Sequence, residues 1–189
     1  MKPKLIILNG PLGIGKSTIA TKFADEHPMT LRLDIDDLRA CISHWREQAD
    51  QSAASSKQMA LAMTRVHLSL GYNVVIPQIV RKAEFFEDCE QIAKETGAEF
   101  IEVLLLVNKD DAIRRFKERN FALGHASGFR TGGLIDNGGR EAKLATMYDE
   151  MIGATTQRPN TIRIEPKFGK EDDTYNELLE KIQAHKFKD

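Results

Sequence analysis

Residues 4–17 constrain this chain more than any other stretch: an apolar run, Lys4–Asn9, enters Gly10-Pro11-Leu12-Gly13-Ile14-Gly15-Lys16-Ser17, and a helical pattern leaves it. The octet satisfies G-x-x-x-x-G-K-[ST] at every fixed position, and a strand before and a helix after are the context in which that spacing forms a phosphate-binding loop, the P-loop. The chemistry explains the residue types. Glycine leaves room for successive backbone N–H groups to curl around an anion, and the helix N-terminus adds about half a positive charge facing it. A lysine placed as Lys16 is reaches β- and γ-phosphates, and a hydroxyl placed as that of Ser17 ligates Mg2+. ATP is therefore the expected ligand, with Gly10, Gly13, Ile14, Gly15, Lys16, Ser17 and Thr18 binding it and Ser17 as the protein's ligand to Mg2+.

The rest of the chain alternates short apolar runs with helical patterns, which predicts βαβ units and a parallel sheet in an α/β fold. Strands are expected at Lys4–Asn9, Thr30–Asp34, Asn73–Pro77, Phe100–Val107 and Thr161–Glu165. Helices are expected from about Lys16 to His27, Asp36 to Trp45, Lys82 to Thr96, Asp110 to Phe121, Glu141 to Ile152 and Asp172 to Lys186. Residues 46–58 show no clear period and read as irregular, with a long helix after them to Leu70. Met59, Met63, Val66 and Leu70 recur at helical spacing and read as that helix's core-facing stripe, closed by Gly71 as its C-cap. No repeat, long linker or second domain is visible, so residues 1–189 read as one domain.

The bulk numbers exclude several classes of partner. A net charge of −1 gives no global field for drawing in polyanions, and no basic, aromatic-interleaved stretch stands out, so an extended nucleic acid is not expected. The apolar run Leu5–Leu8 is too short for a secretory segment, and nothing approaches the roughly 18 apolar residues of a membrane span. A cytoplasmic protein without membrane contact is the expectation, with Cys41 and Cys89 as two reduced thiols. Oligomeric state is left open.

Phosphate-binding loops serve both switches and phosphotransferases. Asn108-Lys109-Asp110-Asp111 fits N-K-x-D, the pattern with which a GTPase-like switch reads guanine, but such a switch also needs D-x-x-G on an earlier strand. The D-x-x-G here, Asp136-Asn137-Gly138-Gly139, comes later, and Asn108–Asp111 serves equally as the cap and acidic first turn of a helix. A kinase accounts for more residues. Asp34-Ile35-Asp36-Asp37-Leu38-Arg39 sets acids at the C-terminal end of strand two, the edge where open α/β sheets bind ligands. Asp36 there can orient or deprotonate an acceptor hydroxyl and Arg39 can hold an anionic group, although the same acids also suit a plain helix start. Arg115 and Arg119 lie four apart, project from one helix face and lead into a segment where six of the 13 glycines fall between Gly124 and Gly139. Paired guanidiniums beside a glycine-hinged segment suggest a lid over about residues 114–140 that clamps phosphates and excludes water. Gln78 and Arg81, with the polar stretch Trp45–Lys57, are expected from chain position to shape the acceptor pocket.

On Gly10–Ser17, Asp36 with Arg39, and Arg115 with Arg119, the chain from about residue 4 to 150 resembles the P-loop small-molecule kinases related to gluconate kinase, chloramphenicol phosphotransferase and the 5′-hydroxyl kinase domain of polynucleotide kinase. The resemblance implies a three-layer P-loop NTPase fold with a five-stranded parallel sheet of order 2-3-1-4-5, helices on both faces and a small lid. It also implies transfer of the ATP γ-phosphate to a hydroxyl of a small metabolite, such as the sugar acid gluconate. Lys16, Asp36, Arg115 and Arg119 then form the catalytic set, and adenine lies near Pro166–Lys170. The chain departs from the pattern at the end of strand three, where relatives often carry Asp and this sequence has Pro77-Gln78, and strand four ends in Asn108. Mg2+ must then lean on Ser17, with Asp34 or Asp36 in support, and a non-catalytic, regulatory nucleotide-binding protein is the alternative expectation.

Overall fold

The computed structural model describes residues 2–122 and 140–184. Strands β1 (Lys4–Asn9), β2 (Leu31–Arg32), β3 (Val74–Pro77), β4 (Glu99–Leu105) and β5 (Ile162–Ile164) form one all-parallel sheet of order β2-β3-β1-β4-β5, as expected. The helices are α1 (Lys16–Glu26), α2 (Ile35–Ala40), α3 (Ala49–Ser69), α4 (Glu84–Thr96), α5 (Lys109–Ala122), α6 (Arg140–Thr155) and α7 (Glu171–Ala184).

The continuous apolar run of β1 follows from its central place, because a parallel strand covered on both faces needs no polar side. Leu5, Ile6, Ile7 and Leu8 are completely buried, and alternate residues enter opposite cores. Ile6 and Leu8 join Val103, Leu105 and Ile162 beneath Ile19 and Phe23 of α1 and Tyr175 and Leu178 of α7. Leu5 and Ile7 join Val74 and Ile76 beneath Leu68 of α3 and Phe86 and Ile92 of α4. The chain moves to one side of β1 for β2 and β3 and to the other for β4 and β5. A crevice at the carboxyl ends of the strands follows from that reversal.

Four expectations fail between β2 and β3. β2 is only two residues long, because Asp34 leaves the sheet to cap α2, accepting the Asp36 N–H at 3.0 Å. Helix α2 stops at Ala40 rather than near Trp45, and turns follow in which His44 takes a positive φ of 53°. Residues 46–58 are not irregular, since α3 already begins at Ala49.

The register of α3 is the larger correction. It buries Ser52, Ser56, Ala60, Thr64 and Leu68, a file of mostly small residues spaced four apart. Met59, Met63, Val66 and Leu70, expected in the core, are instead 37%, 39%, 62% and 65% exposed. Small side chains allow α3 to lie close against α2 and α4, and the Ser52 and Ser56 hydroxyls satisfy themselves on the carbonyls of Trp45 and Ala53, at 2.8 and 3.2 Å. Gly71 does end the helix, at φ 86° with its N–H on the Leu68 carbonyl at 2.9 Å. Among the described residues, no helix is long and apolar enough to cross a membrane, and Cys41 and Cys89 are both free.

Candidate active site

The turn after β1 is shaped by what surrounds it. At Gly10, φ is 153°, and a Cβ there would lie 2.5 Å from the Leu105 carbonyl oxygen, so no side chain fits. Gly15, at φ 101°, precedes α1, and a Cβ there would meet nothing within 4 Å. The loop thus encloses an open concavity beside a helix N-terminus that has no acidic residue in its first turn. Into this arrangement Lys16 is buried, its Nζ donating to the carbonyls of Gly10 and Pro11, both at 2.8 Å. Ile14 is buried beneath the loop, Ser17 is half-buried on the first turn of α1, and Thr18 is exposed beside it. Backbone N–H groups, the helix end and an ammonium group suit a polyphosphate.

The acids of α2 sit in different surroundings. Burial pushes the Asp36 carboxyl up to about 6, and the neighbouring Asp34 adds to this against the opposing pull of Arg39 and Lys16. A carboxyl in that range can exchange a proton near neutral pH. Asp37 points elsewhere, with Arg32 at 4.0 Å.

Asp36 lines a cavity of about 230 Å³ together with Leu12 of the P-loop, Arg39, Lys57, Gln78 and Arg81. All four residues expected around the acceptor, Asp36, Arg39, Gln78 and Arg81, are therefore brought together, from α2 and the segment after β3. Arg39 is buried, and much of its bonding is structural. It donates from Nε to the Ser52 hydroxyl at 2.9 Å and from Nη2 to the Ala49 carbonyl at 2.6 Å, and lies 5.1 Å from the Trp45 ring. It thereby fastens α2 to the start of α3. Arg81 pairs with Glu150 of α6 at 2.9 Å.

Arg115 is half-buried on α5 and donates from Nη1 to the Pro166 carbonyl at 3.1 Å, against the segment that follows β5. Its neighbour Arg114 takes the solvent side, pairing with Asp111 and, at 3.6 Å, with Glu118. The Arg119 side chain and the glycine-rich segment from Gly124 to Gly139 lie outside the described residues, as does the C-terminal end of the expected last helix. Asn108 caps α5: its Oδ1 accepts the Asp111 N–H at 2.9 Å and its Nδ2 donates to the Asp111 carboxylate at 2.8 Å. Lys109 reaches Asp149 at 2.6 Å, so the residues a guanine reader would need are engaged at a helix start. Among the described residues, no three His, Cys, Asp or Glu side chains gather as a metal cluster. Gln78, where the family resemblance would place an acid, lines the cavity instead.

Two features escaped the sequence. Asn9 is fully buried, and its Oδ1 accepts both the Gly10 N–H at 2.8 Å and the Val80 N–H at 2.9 Å, joining the P-loop to the segment after β3. A polar residue closing an apolar strand was the available signal. Lys82 also lines the cavity, beside Lys57 at the end of the polar stretch expected there, and nothing in its sequence context distinguishes it from a surface lysine.

The sequence pattern of the AAA domain family matches residues 5–131, and the chain belongs to that family. No curated protein matches the chain. A kinase candidate from Chloroflexus aurantiacus j-10-fl is similar in structure, with a TM-score of 0.72 at 19% identity over 99% of this chain and 100% of that one. An APS kinase from Mycobacterium tuberculosis, in complex with AMPPNP and APS, gives 0.63 at 21% identity over 96% and 98%. A gluconokinase from Sinorhizobium meliloti 1021 gives 0.63 at 14% identity over 97% and 93%. At these identities the likeness is one of fold, and the expected kinship with P-loop small-molecule kinases is borne out at that level.

Proposed function

From this family membership and the site's geometry, we propose that the protein is an ATP-dependent kinase that moves the γ-phosphate to a hydroxyl of a small metabolite. The observation that carries the reading is convergence: Asp36, Arg39, Gln78 and Arg81 line one cavity with Leu12, a residue of the same loop that holds Lys16. Phosphate and acceptor sites must adjoin for direct transfer, because the reacting atoms have to be held about 3–3.5 Å apart.

In this mechanism the acceptor lies in the cavity with its hydroxyl at Asp36. The Asp36 carboxylate takes the hydroxyl proton as the oxygen forms its bond to the γ-phosphorus, the bond to the β–γ bridging oxygen breaks, and ADP leaves with that electron pair. Lys16 and the loop N–H groups of Gly13 and of Gly15 to Thr18 hold the phosphates and meet the charge that develops. Arg115, placed beside Pro166, and Arg119 on the same helix supply further positive charge at the nucleotide. Mg2+, when bound, would neutralise phosphate charge, and the Ser17 hydroxyl would hold it, with Asp34 or Asp36 in support.

A volume of about 230 Å³ supports a small acceptor such as a sugar acid, gluconate among them, over a polynucleotide. Drug-sized ligands usually need about 300–1,000 Å³. One domain spanning residues 1–189, with a lid over about 114–140, acting in the cytoplasm, completes the reading. Its test is thermal unfolding with Mg-ATP and with Mg-GTP, followed by an ADP-release screen of hydroxyl compounds. ATP at 100 times its Kd is expected to add about 2.7 kcal/mol, raising Tm by several degrees, and Lys16→Ala to remove most of that gain. Stabilisation by GTP and not by ATP would overturn the kinase reading in favour of a switch.

A further inference from the structure

The acceptor cavity has a charge pattern that proton abstraction and nucleotide binding do not use. Beside Asp36 it is lined by four cations, Arg39, Lys57, Arg81 and Lys82, with Glu150 as its other acid. Arg39 is bonded to a hydroxyl and a carbonyl, neither of which cancels its charge. Arg81 shares Glu150. The side chains of Lys57 and Lys82 make no hydrogen bond or ion pair with any described residue. They stand close enough to Arg81 that the Lys57 ammonium is held below the usual lysine range, first by burial and then by the charges of Arg81 and Lys82, with Glu84 opposing. Three mutually repelling cations at one wall of a cavity are unfavourable until an anion arrives, and like charges in such proximity raise the local concentration of anions.

The geometry points to an anion subsite formed by Lys57, Arg81 and Lys82, and hence to an acceptor that carries, besides its hydroxyl, a phosphate, sulfate or carboxylate group. The inference rests on the kinase reading for the word acceptor, but the subsite stands or falls separately. Asp36 receives the hydroxyl at the end of the cavity shared with α2, and the anion is held by α3 and the segment leading into α4. Two ends of opposite charge fix which hydroxyl faces the phosphate donor, so the subsite orients as well as binds. Arg81, engaged with Glu150 in the ligand-free chain, exchanges that carboxylate for the acceptor's anion.

The test begins in the Lys16→Ala chain, which disables the other anion site. Inorganic phosphate, sulfate and acetate are titrated calorimetrically. At least one is expected to bind saturably, and adding Lys57→Gln and Lys82→Gln is expected to weaken it at least tenfold. Lys57→Arg with Lys82→Arg is expected to restore the affinity. Both lysines are solvent-accessible and their charges repel one another, so the double variant should have a Tm no lower than that of the parent chain and, with Lys16 intact, keep its stabilisation by AMPPNP. Preference for phosphate or sulfate over acetate identifies an ester of those acids, and the reverse a carboxylate; glycerol, glycerol 3-phosphate and glycerate then repeat the comparison with hydroxyls present. No saturable anion binding, or binding unmoved by the double substitution, overturns the subsite. Failure of AMPPNP to stabilise the wild-type chain would instead overturn the kinase reading and leave the anion result standing.

Discussion

Asp36→Asn separates what the site does from what the fold would prefer. In the folded chain the Asp36 carboxyl is raised from 3.8 to about 6, by burial first and by Asp34 next. An acid whose folded pKa lies above its unfolded value binds more protons folded than unfolded between those pH values, so stability falls as pH rises from about 4 to about 6 and stays reduced above. Two units at roughly 1.4 kcal/mol each set an upper bound near 3 kcal/mol on the penalty at pH 8. Asparagine keeps the shape and removes the charge, but it forfeits the attraction to Lys16 and Arg39 and must itself be desolvated. A net gain of about 1–2 kcal/mol at pH 8 is expected, measured by urea unfolding, shrinking towards zero at pH 4. The same variant should bind Mg-ATP and lose transfer by roughly 10²- to 10⁴-fold, the usual worth of a general base. Asp37→Asn is the control, with a stability change under about 1 kcal/mol and little change in transfer. A stability gain at pH 8 that persisted unchanged at pH 4 would refute the electrostatic argument, and full transfer activity in Asp36→Asn would refute the catalytic one.

Arg115→Ala and Arg119→Ala are each expected to lower kcat by about 10²-fold with a smaller rise in the KM for ATP, because lid charges meet their full partner only during transfer; steady-state kinetics giving less than threefold on both parameters would leave them as helix surface. On α3, Met63→Gln and Val66→Gln should each change stability by less than about 0.5 kcal/mol, whereas Ala60→Leu, completely buried against the neighbouring elements, should cost about 1–3 kcal/mol by urea unfolding.

The contrast within α3 explains which parts of the molecule could be read from sequence. The P-loop was legible because its chemistry dictates the backbone: close approach at Gly10 and a clear concavity at Gly15 leave little choice of residue. Asp36 was legible because a strand's carboxyl end restricts where an acid can point. The sheet order came only with the family resemblance, since alternation implies parallel strands without arranging them. In α3 the apolar period marks the exposed face, because Ser52, Ser56, Ala60 and Thr64 buy close helix packing through small size rather than hydrophobicity. The start of that helix was hidden for the same reason. Lys57 was legible only as the end of a polar stretch and Lys82 not at all, because a lysine acquires meaning from its neighbours in space, and the cavity that gathers these two draws on α2, α3 and the segment after β3.

Asn9 shows why two sites read separately in sequence behave as one in structure. Its single side-chain oxygen holds the N–H of Gly10, which opens the P-loop, and that of Val80, which lines the cavity beside Asp36. The Gln78 N–H on the Leu8 carbonyl at 3.1 Å fastens the same two segments a second time. Across the loop, Leu12 both lines the cavity and packs against Phe116 of α5 and Leu144 of α6. Phe116 follows Arg115, whose guanidinium rests on Pro166. The P-loop is therefore braced on one side by the wall that holds Gln78 and Val80, and on the other by the helix that carries Arg115. Buried amides that would lose their acceptor resist displacement at about 1–3 kcal/mol each, which holds the P-loop and the cavity wall in register.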